Sequence, residues 1–512
     1  MSEPPVTRHH GQRQRHIVVI GGGISGLAAA ERLTRSSQDG PRRMSPPSVT
    51  VLETNFTLGG CIGTECTGGF VIERGPDVVL AAKPAVLELA ERVGVADRLI
   101  GTRAEARGSY VMRKGQLIRL PEGVSGLLPG RFAPFACTRL LSPLGKLRVA
   151  LEWAVPRRRN STEETIESFV TRRLGREMYA RVIEPLLSGI YAGDGARLSL
   201  DATFPQFRAL EREHGGLLRA TRRRTTSQES EHGRGTYRDS SGSRQSPGSS
   251  LSSKFLSFSA GLGELVDGVS AVLRSRGVTI RYGAAVARVA FADGADIDHV
   301  RITLATGEVV YANAVIVATS ALAAAALLAN ADAELARLLG EIPHASTAVV
   351  TLAYHIHDVP VPLDATGYTV PRAEGRSVLA CTWSSAKFVG RAPDGFALFR
   401  VFLGGVGRET ALDVGDEALV ELARVELRDT LRVTGHPALT RVARWNHAMP
   451  QYVVGHGARV TRIRDRLVAL PLLALAGNAY EGVGIPDCIR GAAQAAERLL
   501  ERMATLSIVA HG

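Results

Sequence analysis

The sequence predicts an α/β fold: a parallel sheet flanked by helices, carrying an α+β lobe and a helical lobe. Three observations predict it. A β-branched run, Ile17 to Ile20, leads at once into three glycines and an Ala/Leu-rich stretch, in HIVVIGGGISGLAAAERL. A second apolar run, Val49 to Leu52, ends in an acid, Glu53. Further short apolar runs, Ala314 to Ala318 and Leu472 to Ala476, lie far downstream, and a helical pattern from Ile485 to Met503 closes the chain. Short, continuous apolar runs fit parallel strands buried on both faces.

In the first unit the spacing is Gly21-x-Gly23-x-x-Gly26, with a strand before it and a helix after it. That context makes it a dinucleotide fingerprint. Gly21 permits the tight turn, Gly23 lets backbone approach a pyrophosphate, and Gly26 lets helix and strand pack closely. Helix-start N–H groups then face the phosphates. Glu53 at the second strand end suits the hydroxyls of an adenosine ribose. Its alternative role is a solvated strand end. The Pro/Ser-rich loop SSQDGPRRMSPPS lengthens the gap between the glycines and this acid and reads as a surface insertion.

Composition bounds the rest. The chain has 512 residues, 45% apolar and 5% aromatic, enough for more than one aliphatic core. Net charge is +12. Part of the excess sits in 219–253, where Arg219, Arg222, Arg223, Arg224, Arg234, Arg238 and Arg244 face only Glu229, Glu231 and Asp239. This Ser/Gly/Arg-rich tract is expected to be disordered, which weakens a nucleic-acid reading. What remains suits an anionic substrate or an anionic membrane surface. Five cysteines and no CxxC argue against a disulfide framework and for a reducing compartment. The N-terminus carries no apolar signal segment, so a cytoplasmic location is expected.

After Glu53 and Thr54, the glycine pair Gly59-Gly60 precedes Cys61; it is either backbone laid against a cofactor or a plain turn. GFVIERGPDVVL gives a strand, Phe70 to Glu73, and a Gly75-Pro76 corner, and Lys83 to Val93 reads as an amphipathic helix. Tyr110 to Leu120 reads as a hairpin around Lys114-Gly115. Residues 121–159 are apolar and Arg-punctuated, and suit either a membrane surface or packing within their own lobe. A helix is expected from Thr162, with more helix to about Leu187. Beyond the Arg-rich tract come a helix Glu264 to Arg276, strands Val278 to Arg281 and Ala284 to Phe291, and an alternating α+β stretch over 326–439.

Taken together, GGGISG, LGG, GFVIERGPD, SGIYAGDGARLSLDATFP (Ser188 to Pro205), WNHAMPQYVVGH (Trp445 to His456) and LAGNAYEGVGIPDCIRGAAQAAERLL resemble the FAD-dependent porphyrinogen oxidases of haem biosynthesis, bacterial type. These are similar in fold to amine oxidases and phytoene desaturases. The resemblance implies a Rossmann-like FAD-binding domain made of 1–88, 255–325 and 440–512. It further implies a helical lobe at 89–218, the insertion at 219–253 and a substrate domain at 326–439.

The resemblance also implies FAD contacts at Gly21, Gly22, Gly23, Ile24, Ser25, Gly26, Glu53, Thr54, Gly59, Gly60 and Cys61. Others fall at Gly75, Pro76, Asp77, Val78, Val286, Trp445, Gly477, Val483, Gly484 and Ile485. Trp445 is otherwise a core aromatic. Amides at the start of the last helix, near Gly484, would stabilise negative charge on a reduced flavin. The Ser-Gly-Gly-Cys-Tyr sequence that attaches FAD covalently in some relatives is absent, so noncovalent FAD is expected. No metal site or catalytic triad is expected, since the flavin carries the chemistry. His344, His355, His357, His447 and His456 are read as structural or exposed.

The implied reaction is hydride transfer from a porphyrinogen methylene bridge to flavin N5, with O2 as final acceptor and H2O2 as product. Lys83, Arg113 and Arg176 are candidates for the substrate carboxylates. Animal and plant protoporphyrinogen oxidases place an arginine where this chain has Ser109, which leaves the choice of protoporphyrinogen IX or coproporphyrinogen III open. An amine oxidase or carotenoid desaturase on the same fold is the alternative, and a basic nucleic-acid-binding flavoprotein the third. Homodimer formation and peripheral membrane contact are also left open.

Overall fold

In a computed structural model of the protein, residues 15–35, 47–106, 108–121, 124–125, 128–129, 137–160, 162–221, 254–291 and 299–511 are described. The N-terminal tail, most of the SSQDGPRRMSPPS loop, parts of 121–159 and almost all of the Arg-rich tract lie outside them.

The apolar runs form a five-stranded, all-parallel sheet. Its order is Thr279–Arg281, Ser48–Leu52, His16–Ile20, Ala314–Val317 and Leu473–Leu475. Ile17, Val18 and Val19 are fully buried, as strands covered on both faces require. The helix Ile24–Thr34 packs on the closing helix Ile485–His511, and Arg32 pairs with Glu497 across them. The apolar run after Ala314 divides as expected into a strand and a helix, Ala321–Leu328, whose N-cap Ser320 accepts from Ala323 N–H.

A second, seven-stranded sheet runs Leu439–Pro450, His344–His355, Phe396–Gly404, Val378–Trp383, Gly367–Thr369, Tyr110–Arg113 and Gln116–Arg119. The hairpin around Lys114-Gly115 forms as expected, with both residues at positive φ (51° and 72°), the geometry of a type I′ turn. Its two turn N–H groups donate to the Glu374 carboxylate at 2.8 and 3.0 Å. The expected domain limits need two corrections here. The hairpin lies within 89–218, yet it adds two strands to this sheet, because Tyr110 pairs with Tyr368. Leu439–Pro450 likewise belongs to this sheet, through nine register pairs with His344–His355. The pairing partners are distant in sequence, which local patterning cannot reveal.

Most of 137–221 is helical. Thr165, not Thr162, caps the helix Ile166–Leu174, its Oγ1 accepting from Ser168 N–H at 3.1 Å. Arg173 and Glu152, both without solvent exposure, pair at the centre of this lobe. Arg172 adds a 2.8 Å bond to Glu211.

Candidate active site

The first glycine turn is built as its spacing requires. Gly21 has φ +106°, and its N–H donates to Leu52 O on the neighbouring strand at 2.8 Å. A Cβ on Gly26 would lie 1.9 Å from Gly21 O, so only glycine lets the helix approach the turn this closely. Gly23 is different. A Cβ there would meet nothing of the protein nearer than Gly60 Cα at 3.9 Å. Its open side faces the second glycine pair, which folds back on the first through Gly59 N–H to Gly22 O at 2.9 Å. The two glycine segments thus form one cradle of bare backbone, with Ile24, Ser25 and Gly26 in the first helical turn above it.

Glu53 is buried at the strand end, with Thr54 exposed beside it. One carboxylate oxygen accepts from Gly22 N–H at 2.6 Å, the other from Asn55 N–H and side-chain amide at 2.8 and 2.9 Å. A carboxylate offers about four acceptor sites, so capacity for a hydroxyl remains. Its backbone C=O accepts from Ala284 N–H at 2.8 Å, which brings the strand Val286–Phe291, and Val286 at its start, beside the acid.

The other predicted segments are held by contacts of their own. A Cβ on Gly75 would lie 2.0 Å from Cys61 O and 3.6 Å from Trp445 Cζ2, so these three positions are in contact. The Trp445 indole donates to Arg74 O at 2.8 Å. Pro76, Asp77 and Val78 continue this corner, half-buried. Gly477 has φ +145° beside Thr319 O, at the end of the last parallel strand. Val483, Gly484 and Ile485 then lead into the closing helix, where Cys488 N–H donates to Gly484 O at 2.9 Å.

Of the three basic candidates, Lys83 is tied to the start of the closing helix, through an ion pair with Asp487 in its first turn. Arg490 also pairs with Asp487, at 3.0 Å. Arg113 instead donates to Arg139 O in the helical lobe, and Arg176 is exposed on the short helix Arg176–Met178. The structure does not bring these two to the cradle.

Sequence reasoning missed a buried charge cluster beneath the Gly75 corner. Arg400 and Arg391 are 1% and 2% exposed. Arg400 donates to Gly75 O and lies 3.5 Å from Asp77 Oδ2, while Lys387 Nζ lies 2.8 Å from the same oxygen. Burial pushes the Asp77 carboxyl up, but Lys387 and Arg400 outweigh it and hold the group below the usual carboxylate range. Glu73 feels Arg400 and Arg391 too, yet burial wins there and raises it. Basic residues inside the apolar runs around 387–400 were the available signal.

The cradle, the acid at the strand end and the helix start fit a dinucleotide in donor set and in space. Comparison with known proteins agrees. A family model, flavin containing amine oxidoreductase, matches residues 24–500. A coproporphyrinogen III oxidase of Propionibacterium freudenreichii is 35% identical over 95% of this chain and 91% of its own. That of Bacillus subtilis is 33% identical over 93% and 96%, and the protoporphyrinogen oxidase of Bos taurus 31% over 95% and 98%. A crystal structure from Exiguobacterium, provisionally named a protoporphyrinogen oxidase, superposes with TM-score 0.80 at 30% identity, covering 95% of this chain and 99% of that one. Cyclohexylamine oxidase of Brevibacterium oxydans shares the fold alone, with TM-score 0.61 at 16% identity over 96% of this chain and 100% of that one. The chain belongs to the flavin-containing amine oxidoreductases, in the group that includes the coproporphyrinogen III and protoporphyrinogen oxidases.

Proposed function

We propose that the protein is an FAD-dependent oxidase of haem biosynthesis that converts coproporphyrinogen III to coproporphyrin III. The observation that carries the choice of substrate is the 35% and 33% identity to two bacterial coproporphyrinogen III oxidases along nearly the whole of each chain. Protoporphyrinogen IX is the second reading, from 31% identity to the bovine enzyme. Anaerobic mixing with each porphyrinogen tests the choice.

The chain's own residues bind and orient. Gly21 to Gly26 with Gly59 and Gly60 would hold the pyrophosphate, Glu53 the adenosine ribose, Val286 the adenine, and the Gly75 to Val78 corner, Trp445 and Val483 to Ile485 the ring system. FAD when bound supplies the hydride acceptor for the porphyrinogen and returns the electrons to O2, giving H2O2. Helix-start amides at Gly484 and Ile485 favour negative charge in front of them. Lys83 is half-exposed and paired with Asp487, which supports a role in which it exchanges that acid for a substrate carboxylate. Cys488 is unsuited to covalent attachment of FAD, which supports a noncovalent cofactor: the thiol is buried, and burial pushes it up to about 12.

One surface supports peripheral membrane contact. The helix Pro143–Ala150 and the turn after it expose Leu144 (78%), Leu147 (56%), Leu151 (51%) and Trp153 (41%). Arg157 and Arg159, which follow in the chain, and Arg219 are exposed. The Arg219 guanidinium sits over the Trp153 ring, 5.8 Å from its centroid. Exposed apolar side chains with arginine beside them suit the surface of an anionic bilayer. Among the described residues no helix is long and apolar enough to cross a membrane.

A further inference from the structure

Three segments that the sequence singled out meet at Tyr452. They are SGIYAGD, the Pro-Gln-Tyr stretch after Trp445, and GNAYEG. The Tyr452 hydroxyl donates to Asn478 O at 2.6 Å and accepts from Gly482 N–H at 2.9 Å. It therefore spans the loop from Gly477 to Gly484 from within, satisfying one carbonyl and one amide that no helix or strand satisfies. The loop needs such a tie. Gly477 and Gly482 sit at φ +145° and +136°, and a Cβ on Gly482 would lie 2.7 Å from Asp487.

The phenol is itself fixed on every side. Its ring stacks on His456 with centroids 4.0 Å apart and planes 10° from parallel. Tyr191 lies 6.5 Å away on another side, and Gln451 donates to Tyr191 O at 2.8 Å. The Tyr452 C=O accepts from Ser199 N–H at 2.8 Å. Tyr452 and His456 are each 2% exposed, and among the described residues neither His456 ring nitrogen has a hydrogen-bond partner. A buried imidazole that makes no hydrogen bond serves here as a flat supporting surface. Burial, aided by Arg459, keeps it neutral, with its pKa lowered to about 4.

We infer that Tyr452 is a positioning residue for the reaction: its hydroxyl sets the path of Gly477 to Gly484 and so the aim of the helix-start amides at the flavin, with His456 as its backing. The inference rests on the flavin site of the proposed function. It predicts that the hydroxyl, not only the ring, influences the electronics of the bound cofactor.

The test is Tyr452→Phe, purified with FAD and titrated anaerobically against a reference dye, with no porphyrinogen present. The variant keeps the stack and loses both hydrogen bonds. The expected result is a folded yellow protein whose flavin is harder to reduce, its reduction equilibrium displaced about tenfold toward the oxidised form. With substrate, kcat falls by a similar factor and KM changes little. His456→Phe preserves the backing and is expected to leave the equilibrium at the wild-type value. An unchanged equilibrium in Tyr452→Phe overturns the inference. If that variant does not fold, 3-fluorotyrosine at position 452 keeps the ring and alters the hydroxyl's donor strength, and an unshifted flavin equilibrium there overturns it equally. Because the dye titration needs no porphyrinogen, a wild-type enzyme inactive on porphyrinogens would sink the functional reading and leave this result readable.

Discussion

Lys387 Nζ lies 2.8 Å from Asp77 Oδ2, and the two residues are 310 positions apart in the chain. This pair fastens the short helix Ser384–Lys387, at the end of one strand of the seven-stranded sheet, to the corner that begins at Gly75. Both side chains are mostly buried, 10% and 14% exposed. Removing one partner of a buried pair leaves an uncompensated charge, which costs about 3 to 5 kcal/mol.

Lys387→Met is therefore expected to destabilise the protein by roughly 3 kcal/mol, partly relieved by Arg400. Urea denaturation at pH 7 reads this directly. The sign with pH follows from the lowered Asp77 carboxyl. Its contribution is present above the ordinary carboxylate range and is lost as pH falls through the folded-state value. The difference between wild type and variant should shrink in strong acid. A difference that grows there would contradict the assignment.

His456 gives the opposite case, a base held neutral. Its pKa falls from 6.5 to about 4 through burial. Below pH 6.5 the unfolded chain takes a proton that the folded chain refuses, so stability drops as pH falls from 6.5 toward 4. Between pH 7 and pH 5 this one group removes about 2 kcal/mol. In His456→Phe that part of the slope should vanish, as measured by urea midpoints at the two pH values.

The cradle makes a contrasting pair of predictions. A Cβ on Gly26 strikes Gly21 O at 1.9 Å, whereas one on Gly23 meets no protein atom within 3.4 Å. Gly26→Ala should destabilise the protein even without cofactor, by about 2 kcal/mol. Gly23→Ala should leave the melting temperature of the apoprotein unchanged yet weaken FAD binding roughly thirtyfold. Fluorescence titration with FAD and a thermal melt of each apoprotein separate the two.

The exposed leucine stripe is tested with vesicles. The wild type should cosediment with vesicles containing anionic lipid and much less with zwitterionic ones. The double substitution Leu144→Glu, Leu147→Glu should abolish the binding while leaving activity in detergent-free solution unaltered. Equal binding of wild type and variant would remove the membrane reading.

How much of this could be read from the chain depended on range. The glycine cradle was legible because Gly21, Gly23 and Gly26 carry their constraint in a local spacing, between a strand and a helix. The Lys114-Gly115 hairpin was legible for the same reason, since positive φ is written into its two turn residues. Its place in the seven-stranded sheet was not, because the partner Tyr368 comes more than two hundred residues later. The roles of Arg400, Lys387 and Tyr452 were illegible in the same way. A buried arginine or a bridging phenol acquires its meaning from a carbonyl or carboxylate that only the folded chain brings near. The sequence leaves His456 as structural or exposed, and the fold buries it as the support for Tyr452.

The most direct test of the central claim is anaerobic stopped-flow mixing of the purified holoenzyme with coproporphyrinogen III and, separately, with protoporphyrinogen IX, following flavin absorbance and porphyrin fluorescence. Rapid loss of flavin absorbance is expected with coproporphyrinogen III, with porphyrin fluorescence appearing as O2 is admitted, and a slower response to protoporphyrinogen IX. A faster response to protoporphyrinogen IX would reverse the substrate assignment. Flavin that stays oxidised with both would contradict the porphyrinogen oxidase reading altogether.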